Sequence, residues 1–167
     1  MSLRPLSLGL ATLCLALAPL PALADCPSAG AMVFSCQIGK KSVTVCHMGD
    51  ALIYSYGAKA KPDLTISEPL ESVAYTPWPG IGSSIWETVA FQNQGYTYEV
   101  WTSAERDPDS TQPLQGGINV LKGEALQAQL TCDNGTASNP LDGIYGLKES
   151  IGQCWDFDSR SWQTACN

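Results

Sequence analysis

The sequence predicts a mainly β fold: an antiparallel barrel-like or sandwich domain, stapled by disulfides and carrying a short C-terminal helix. Three observations lead there. Apolar and polar residues alternate in short runs divided by turn residues, which is the period-2 pattern of half-buried strands. Cys26, Cys36, Cys46, Cys132, Cys154 and Cys166 follow an export leader, and an even count in an oxidising compartment reads as disulfides. Near the C-terminus the period changes, with Leu141, Ile144, Leu147, Ile151 and Cys154 recurring at helical spacing.

The leader comes first in the chain. Arg4 precedes an apolar run from Leu8 to Leu20, and Ala22-Leu23-Ala24 supplies the small residues that a signal peptidase needs. Residues 1–24 are therefore expected to be a signal peptide, cleaved between Ala24 and Asp25, and Cys14 leaves with it. The apolar run is broken by Pro19 and Pro21 and falls short of the roughly 20 residues of a permanent span, so no membrane span is expected after cleavage. Cys26 lies close to the cleavage point, but lipidation wants a small residue before the cysteine and Asp25 stands there. Residues 25–167 then form one domain, with a core over 26–132 and a helix and tail over 138–167.

The strands follow in order. Met32 to Ile38 puts Phe34, Cys36 and Ile38 on one face, Gly39-Lys40-Lys41 turns the chain, and Ser42 to His47 continues with Val43 and Val45. Leu52, Tyr54 and Tyr56 line the next strand, and Leu64 and Ile66 mark a short one after Pro62. Glu71 to Ser84 holds Pro77, Trp78, Pro79, Gly80 and Gly82, a composition that reads as a long loop. Trp86 to Phe91 and Tyr96 to Thr102 flank Gln92-Asn93-Gln94-Gly95 as a hairpin, and a polar loop spans Ala104 to Gln115. Ile118 to Leu121 and Ala125 to Cys132 pair around Lys122-Gly123. Asn139 then caps a helix with Pro140 at its first position, and Trp155 to Trp162 forms a last hairpin turning at Asp158-Ser159-Arg160. The spacing of the cysteines leaves the pairing open apart from an expected local Cys154–Cys166 bridge, the other four stapling the main domain.

Charge and motif content bound the function. Loss of Arg4 leaves eight Lys and Arg against sixteen Asp and Glu, a net charge of −8, which disfavours nucleic acid and anionic membranes and suits a basic partner. No cysteine pair has the spacing of a zinc knuckle or redox motif, so neither metal nor cofactor is expected. His47 is the single histidine and falls at the end of an apolar strand face, where a structural role is the commoner one. No Gly-x-Ser-x-Gly elbow occurs, and Asp107, Asp109, Asp133, Asp156 and Asp158 read as turn acids because none follows a calcium-loop spacing. The aromatic residues are the most suggestive group. Trp78, set between prolines in the long loop, is either a binding residue on a stiff backbone or a plug over an open end of the domain.

Phe34-Ser35-Cys36, Lys41-Ser42-Val43-Thr44-Val45-Cys46, Tyr54-Ser55-Tyr56-Gly57, Gly95-Tyr96-Thr97-Tyr98 and Leu130-Thr131-Cys132 resemble small exported cysteine-containing β proteins of proteobacteria. That resemblance covers Cys26 to Cys132 and carries no activity to transfer. Leu121-Lys122-Gly123-Glu124-Ala125 is similar, more distantly, to a stretch of the periplasmic inhibitors of c-type lysozyme, although Val120 stands where their pattern has a tryptophan. This second resemblance implies a non-enzymatic periplasmic or secreted protein that inhibits a lysozyme-like hydrolase. The partner-binding candidates are then Trp78, Ser83, Ser84, Trp86 and Lys122. A carbohydrate- or envelope-binding module using the Trp78 loop is the alternative, and a hydrolase built around His47 is the third reading. The partners to consider are accordingly a basic protein or an envelope glycan, and the sequence leaves oligomeric state open.

Overall fold

The structure is a computed structural model that describes Cys26, Pro27 and residues 29–166 of the 167-residue chain. The expected leader and its cleavage point lie outside the described residues. Two open antiparallel sheets face each other, so the domain is sandwich-like. The first runs β1 (Ala31–Ile38), β2 (Lys41–Met48), β3 (Ala51–Ala58) and β4 (Lys61–Pro69) in that order. The second runs β5 (Ala74–Thr76), β6 (Ser84–Asn93), β7 (Tyr96–Glu105), β8 (Gln115–Lys122) and β9 (Ala125–Thr131). One helix, α1 (Gly143–Ser150), and a small hairpin of β10 (Cys154–Asp156) and β11 (Ser161–Gln163) complete the described chain.

Tight turns set this meander. Ile38 pairs with Lys41 and Met48 with Ala51, so each of these hairpins closes over only two residues. In the β6–β7 turn Gln94 and Gly95 have φ of 49° and 78°, the left-handed pair whose twist matches that of the flanking strands. Between the sheets, Phe34, Val43, Val45, Leu52, Val89, Phe91, Val100 and Ile118 are fully buried. Each such side chain stabilises the fold by about 1.5–3 kcal/mol through the apolar surface it removes from water. The Tyr54 ring reaches across the sheets to Phe91 and Tyr98, with centroids 5.3 Å and 5.8 Å away.

Three disulfides form, a mark of proteins that mature outside the cytoplasm. Cys154–Cys166 is the expected local bridge. Cys26–Cys46 fixes the start of the described chain to β2, while Cys36–Cys132 ties β1 to the residue that follows β9 and so joins the sheets covalently. The segment after Cys132 then runs along β1: Asp133 N–H donates to Gln37 O at 2.8 Å, and Ser138 N–H to Ser35 O at 2.9 Å. No helix among the described residues is long and apolar enough to cross a membrane.

Several local expectations change. β5 lies inside the stretch expected to be loop, because Tyr75 and Val73 bury inward despite the prolines that follow. β4 is longer than expected, nine residues, since pairing with β3 carries it through Pro62 and on to Pro69. The helix starts later than expected: Asn139 has φ 59° and belongs to the preceding turn, Asp142 is the N-cap without a side-chain capping bond, and Cys154 lies in β10. Leu141 and Ile144 still enter the core as the periodicity requires.

Candidate binding site

His47, Asp50, Glu71 and Ser150 line one cavity, but among the described residues no hydrogen bond joins these side chains to one another. His47 is half-buried at the end of β2, paired with Leu52 and Ala31, and its ring makes no hydrogen bond within the described residues. All six cysteines of the expected mature chain are in disulfides, which leaves no thiolate nucleophile among them. Among the described residues no three His, Cys, Asp or Glu side chains converge as metal ligands. The acids noted in the sequence hold turns. Asp107 accepts the Asp109 N–H at 3.0 Å, Asp133 accepts the Gly39 N–H at 3.0 Å, and Asp156 accepts both the N–H and hydroxyl of Ser159, bonds that hold its carboxyl below the usual range.

The loop from 77 to 83 is the most organised surface feature. Pro77 is buried and anchors its start. The Trp78 indole N–H donates to the Ile81 carbonyl at 2.9 Å, and the Arg106 guanidinium lies 5.2 Å from the centre of its ring. Arg106 N–H donates to Ser83 O at 2.9 Å, closing the far end of the loop onto the residue that follows β7. Trp78 is thus a partly buried strut with one ring face taken, not an open stacking platform. Gly80 and Gly82 have φ of 84° and 96°, a conformation side-chain-bearing residues rarely adopt, and the residue between them is pushed outward. That residue, Ile81, is 71% exposed. A large apolar side chain held in water on a pinned loop has already lost the conformational freedom that binding would otherwise cost.

Ser83 ends this loop, Ser84 and Trp86 follow it at the start of β6, and Trp86 is 39% exposed. Ser84 pairs with Glu105, which is exposed like its neighbour Asp107, so the loop carries an acidic flank. Lys122 is elsewhere. It pairs with Tyr96 at the opposite end of the sheet, about 30 Å away along the strands, with its ammonium 5.5 Å from the Tyr96 ring centre. The fold therefore gathers four of the five partner-binding candidates and separates the fifth. Sequence reasoning missed Ile81; its signal was the Gly-Ile-Gly triplet, where a large apolar residue sits between two turn formers.

It also missed Lys148. This helix residue is 1% exposed, its ammonium donating to the carbonyls of Leu70 at 3.0 Å and Glu71 at 3.3 Å and to the Gln153 amide oxygen at 3.1 Å. The ammonium also lies 5.3 Å from the Trp162 ring centre, and burial pushes its pKa down to about 8. The group is satisfied internally and serves the packing of the tail. Fold and loop together define a disulfide-bonded β-sandwich with a preorganised apolar surface loop. No protein family, curated protein or solved structure matches the chain.

Proposed function

We propose that this chain is an exported, non-enzymatic binding domain, periplasmic or secreted, that acts on a protein partner through the 77–83 loop, with a basic lysozyme-like hydrolase as the partner class. One observation carries the reading: Ile81 is displayed on a loop fixed at both ends and braced by its own tryptophan. A rigid apolar tip of this kind suits insertion into a cleft, where burial of one such side chain contributes about 1.5–3 kcal/mol. The acidic flank at Glu105 and Asp107, within a chain of net charge −7 before any processing, favours encounter with a cationic surface. The similarity of Leu121 to Ala125 to the lysozyme inhibitors points to the same partner class but lies at the other end of the sheet, so Lys122 is not needed by this contact.

The experiment is lytic activity of purified c-type, g-type and i-type lysozymes with and without the oxidised protein, at low and physiological salt. Inhibition that weakens with salt and disappears in Ile81→Asp, with the melting temperature unchanged, supports the reading. Absence of inhibition at micromolar excess of protein overturns the lysozyme assignment, and inhibition unaffected by Ile81→Asp overturns the loop.

A further inference from the structure

The outward face of the second sheet carries a different kind of surface. Along β6, β7 and β8 the inward residues, among them Val89, Val100 and Ile118, fill the core, so their neighbours in sequence point away from it. The registers place the outward residues in rows. Thr88, Trp101, Gly117 and Thr131 form one, and Ala90, Glu99, Asn119 and Gln129 form the next. Trp86 stands a row before Trp101, opposite Ser103.

Two adjacent glycines divide the faces. A β-carbon on Gly116 would fall 2.9 Å from the Phe34 ring in the core, whereas one on Gly117 would fall 2.9 Å from two atoms of the Trp101 indole. The edge of the Trp101 ring therefore lies against Gly117, beside the Leu130 carbonyl, with Thr88 and Thr131 in its own row and Trp86 and Glu99 in the adjoining rows. The side chain is half-buried, and its indole N–H is the one buried side-chain polar atom without a partner among the described residues, so that edge is covered and the solvent-accessible part lies elsewhere on the side chain. One row further along, Asn119 donates to Glu99 at 2.9 Å and accepts from Gln129 at 3.0 Å, a polar ladder across three strands. The second carboxylate oxygen of Glu99 and the amide oxygen of Gln129 accept no hydrogen bond among the described residues, so the ladder retains acceptor capacity.

We propose that this face is a glycan-binding site for a neutral β-1,4-linked polysaccharide, centred on Trp101 and not requiring Ile81. A pyranose with equatorial linkages is flat and presents C–H groups from one side, which complement the negative face of an indole. Its hydroxyls at the ring edge meet the Glu99–Asn119–Gln129 row, about 7 Å along the strands from Trp101. Trp86, a row to the other side, extends the platform to a second sugar. A sheet face suits a ribbon-like chain, and the negative charge of Glu99 and of the whole protein turns away polyanions.

Calorimetric titration of the oxidised protein with chitohexaose and cellohexaose tests this, with α-linked maltohexaose and a heparin oligomer as comparators. Binding of at least one β-linked probe is expected, weakened about tenfold by Trp101→Ala, the equivalent of one stacking contact. Glu99→Ala and Gln129→Ala should weaken it severalfold, and His47→Ala on the first sheet should leave it unchanged. If Trp101→Ala fails to fold, Trp101→Phe together with the two ladder variants decides. No binding at millimolar probe, equal affinity for maltohexaose, preference for heparin, or affinity that survives the Trp101 and ladder substitutions overturns the proposal.

Discussion

The Trp162 indole N–H donates to the main-chain carbonyl of Tyr75 at 2.8 Å, and this bond joins the last described hairpin to the first strand of the second sheet. The same indole stacks on the Tyr75 ring at 6.0 Å, meets Tyr145 edge-on at 5.1 Å and packs on Trp155 at 5.5 Å. One side chain thus gathers β5, α1, β10 and β11 into a single body.

Replacing Trp162 should accordingly cost more than an ordinary tail substitution. Trp162→Ala is expected to destabilise the protein by about 3 kcal/mol, through the cavity left and the loss of the aromatic contacts. Urea unfolding of the oxidised protein measures it. A loss below about 1 kcal/mol would show that the tail packs independently of the sandwich.

Lys148 predicts an unusual alkaline rise in stability. Its pKa is about 8 in the folded protein, below the ordinary lysine value of 10.5, so between those values the unfolded chain binds more protons and stability grows with pH. The gain is on the order of 2 kcal/mol between pH 8 and pH 10. Above pH 10 the trend reverses, because burial raises the pKa of Tyr54 and Tyr75 and the unfolded tyrosines lose their protons first. Denaturant titrations across pH 7–11 should show the maximum, and Lys148→Met should remove the rise while leaving the fall.

Glu87 makes the opposite kind of cost. It is buried, its carboxyl pushed above the usual range by that burial although the Tyr75 hydroxyl donates to it at 2.7 Å. A carboxyl raised in the fold contributes stability below its unfolded pKa and loses it as pH climbs through the folded value. Glu87→Gln keeps an acceptor for Tyr75 without the charge, so its melting temperature should exceed that of the natural sequence at pH 7 and converge with it near pH 4. A lower melting temperature for Glu87→Gln at pH 7 would refute this account.

The disulfides should rank by the loops they close. Cys36–Cys132 spans 96 residues and Cys154–Cys166 spans 12. Removing the first as a double alanine variant is expected to cost about 4.7 kcal/mol and removing the second about 3 kcal/mol, from chain entropy alone. The buried position of Cys36 adds a cavity to the first cost. Equal losses by chemical denaturation would argue that the tail bridge supports the whole sandwich.

Legibility followed the range of the interactions. The alternation of Phe34, Cys36 and Ile38, of Val43 and Val45, and of Leu52 and Tyr54 places strands because side-chain direction along a strand is a local property. Turns such as Gln94-Gly95 were readable for the same reason. β5 was not, since three residues followed directly by Pro77-Trp78-Pro79 become a strand only when β6 offers Thr88 to Ala90 as partners. The Asn139 cap failed because the turn that pairs Ser138 with Ser35 fixes that residue in a left-handed conformation.

The candidate site divides along the same line. Composition singled out the Trp78 loop, and the resemblance to the lysozyme inhibitors pointed to Trp86 and the Lys122 turn. Their arrangement was decided by the tertiary structure: Arg106 covers the Trp78 ring, Ile81 is displayed in its place, Lys122 lies at the far end of the sheet, and Trp101 settles on Gly117. The sequence by itself determined that this chain is a disulfide-bonded β domain, because strand periodicity and cysteine count act over a few residues or on the whole composition. Which faces it presents depended on the pairing of strands far apart in the chain, a non-local choice made by the packing of two sheets around one core.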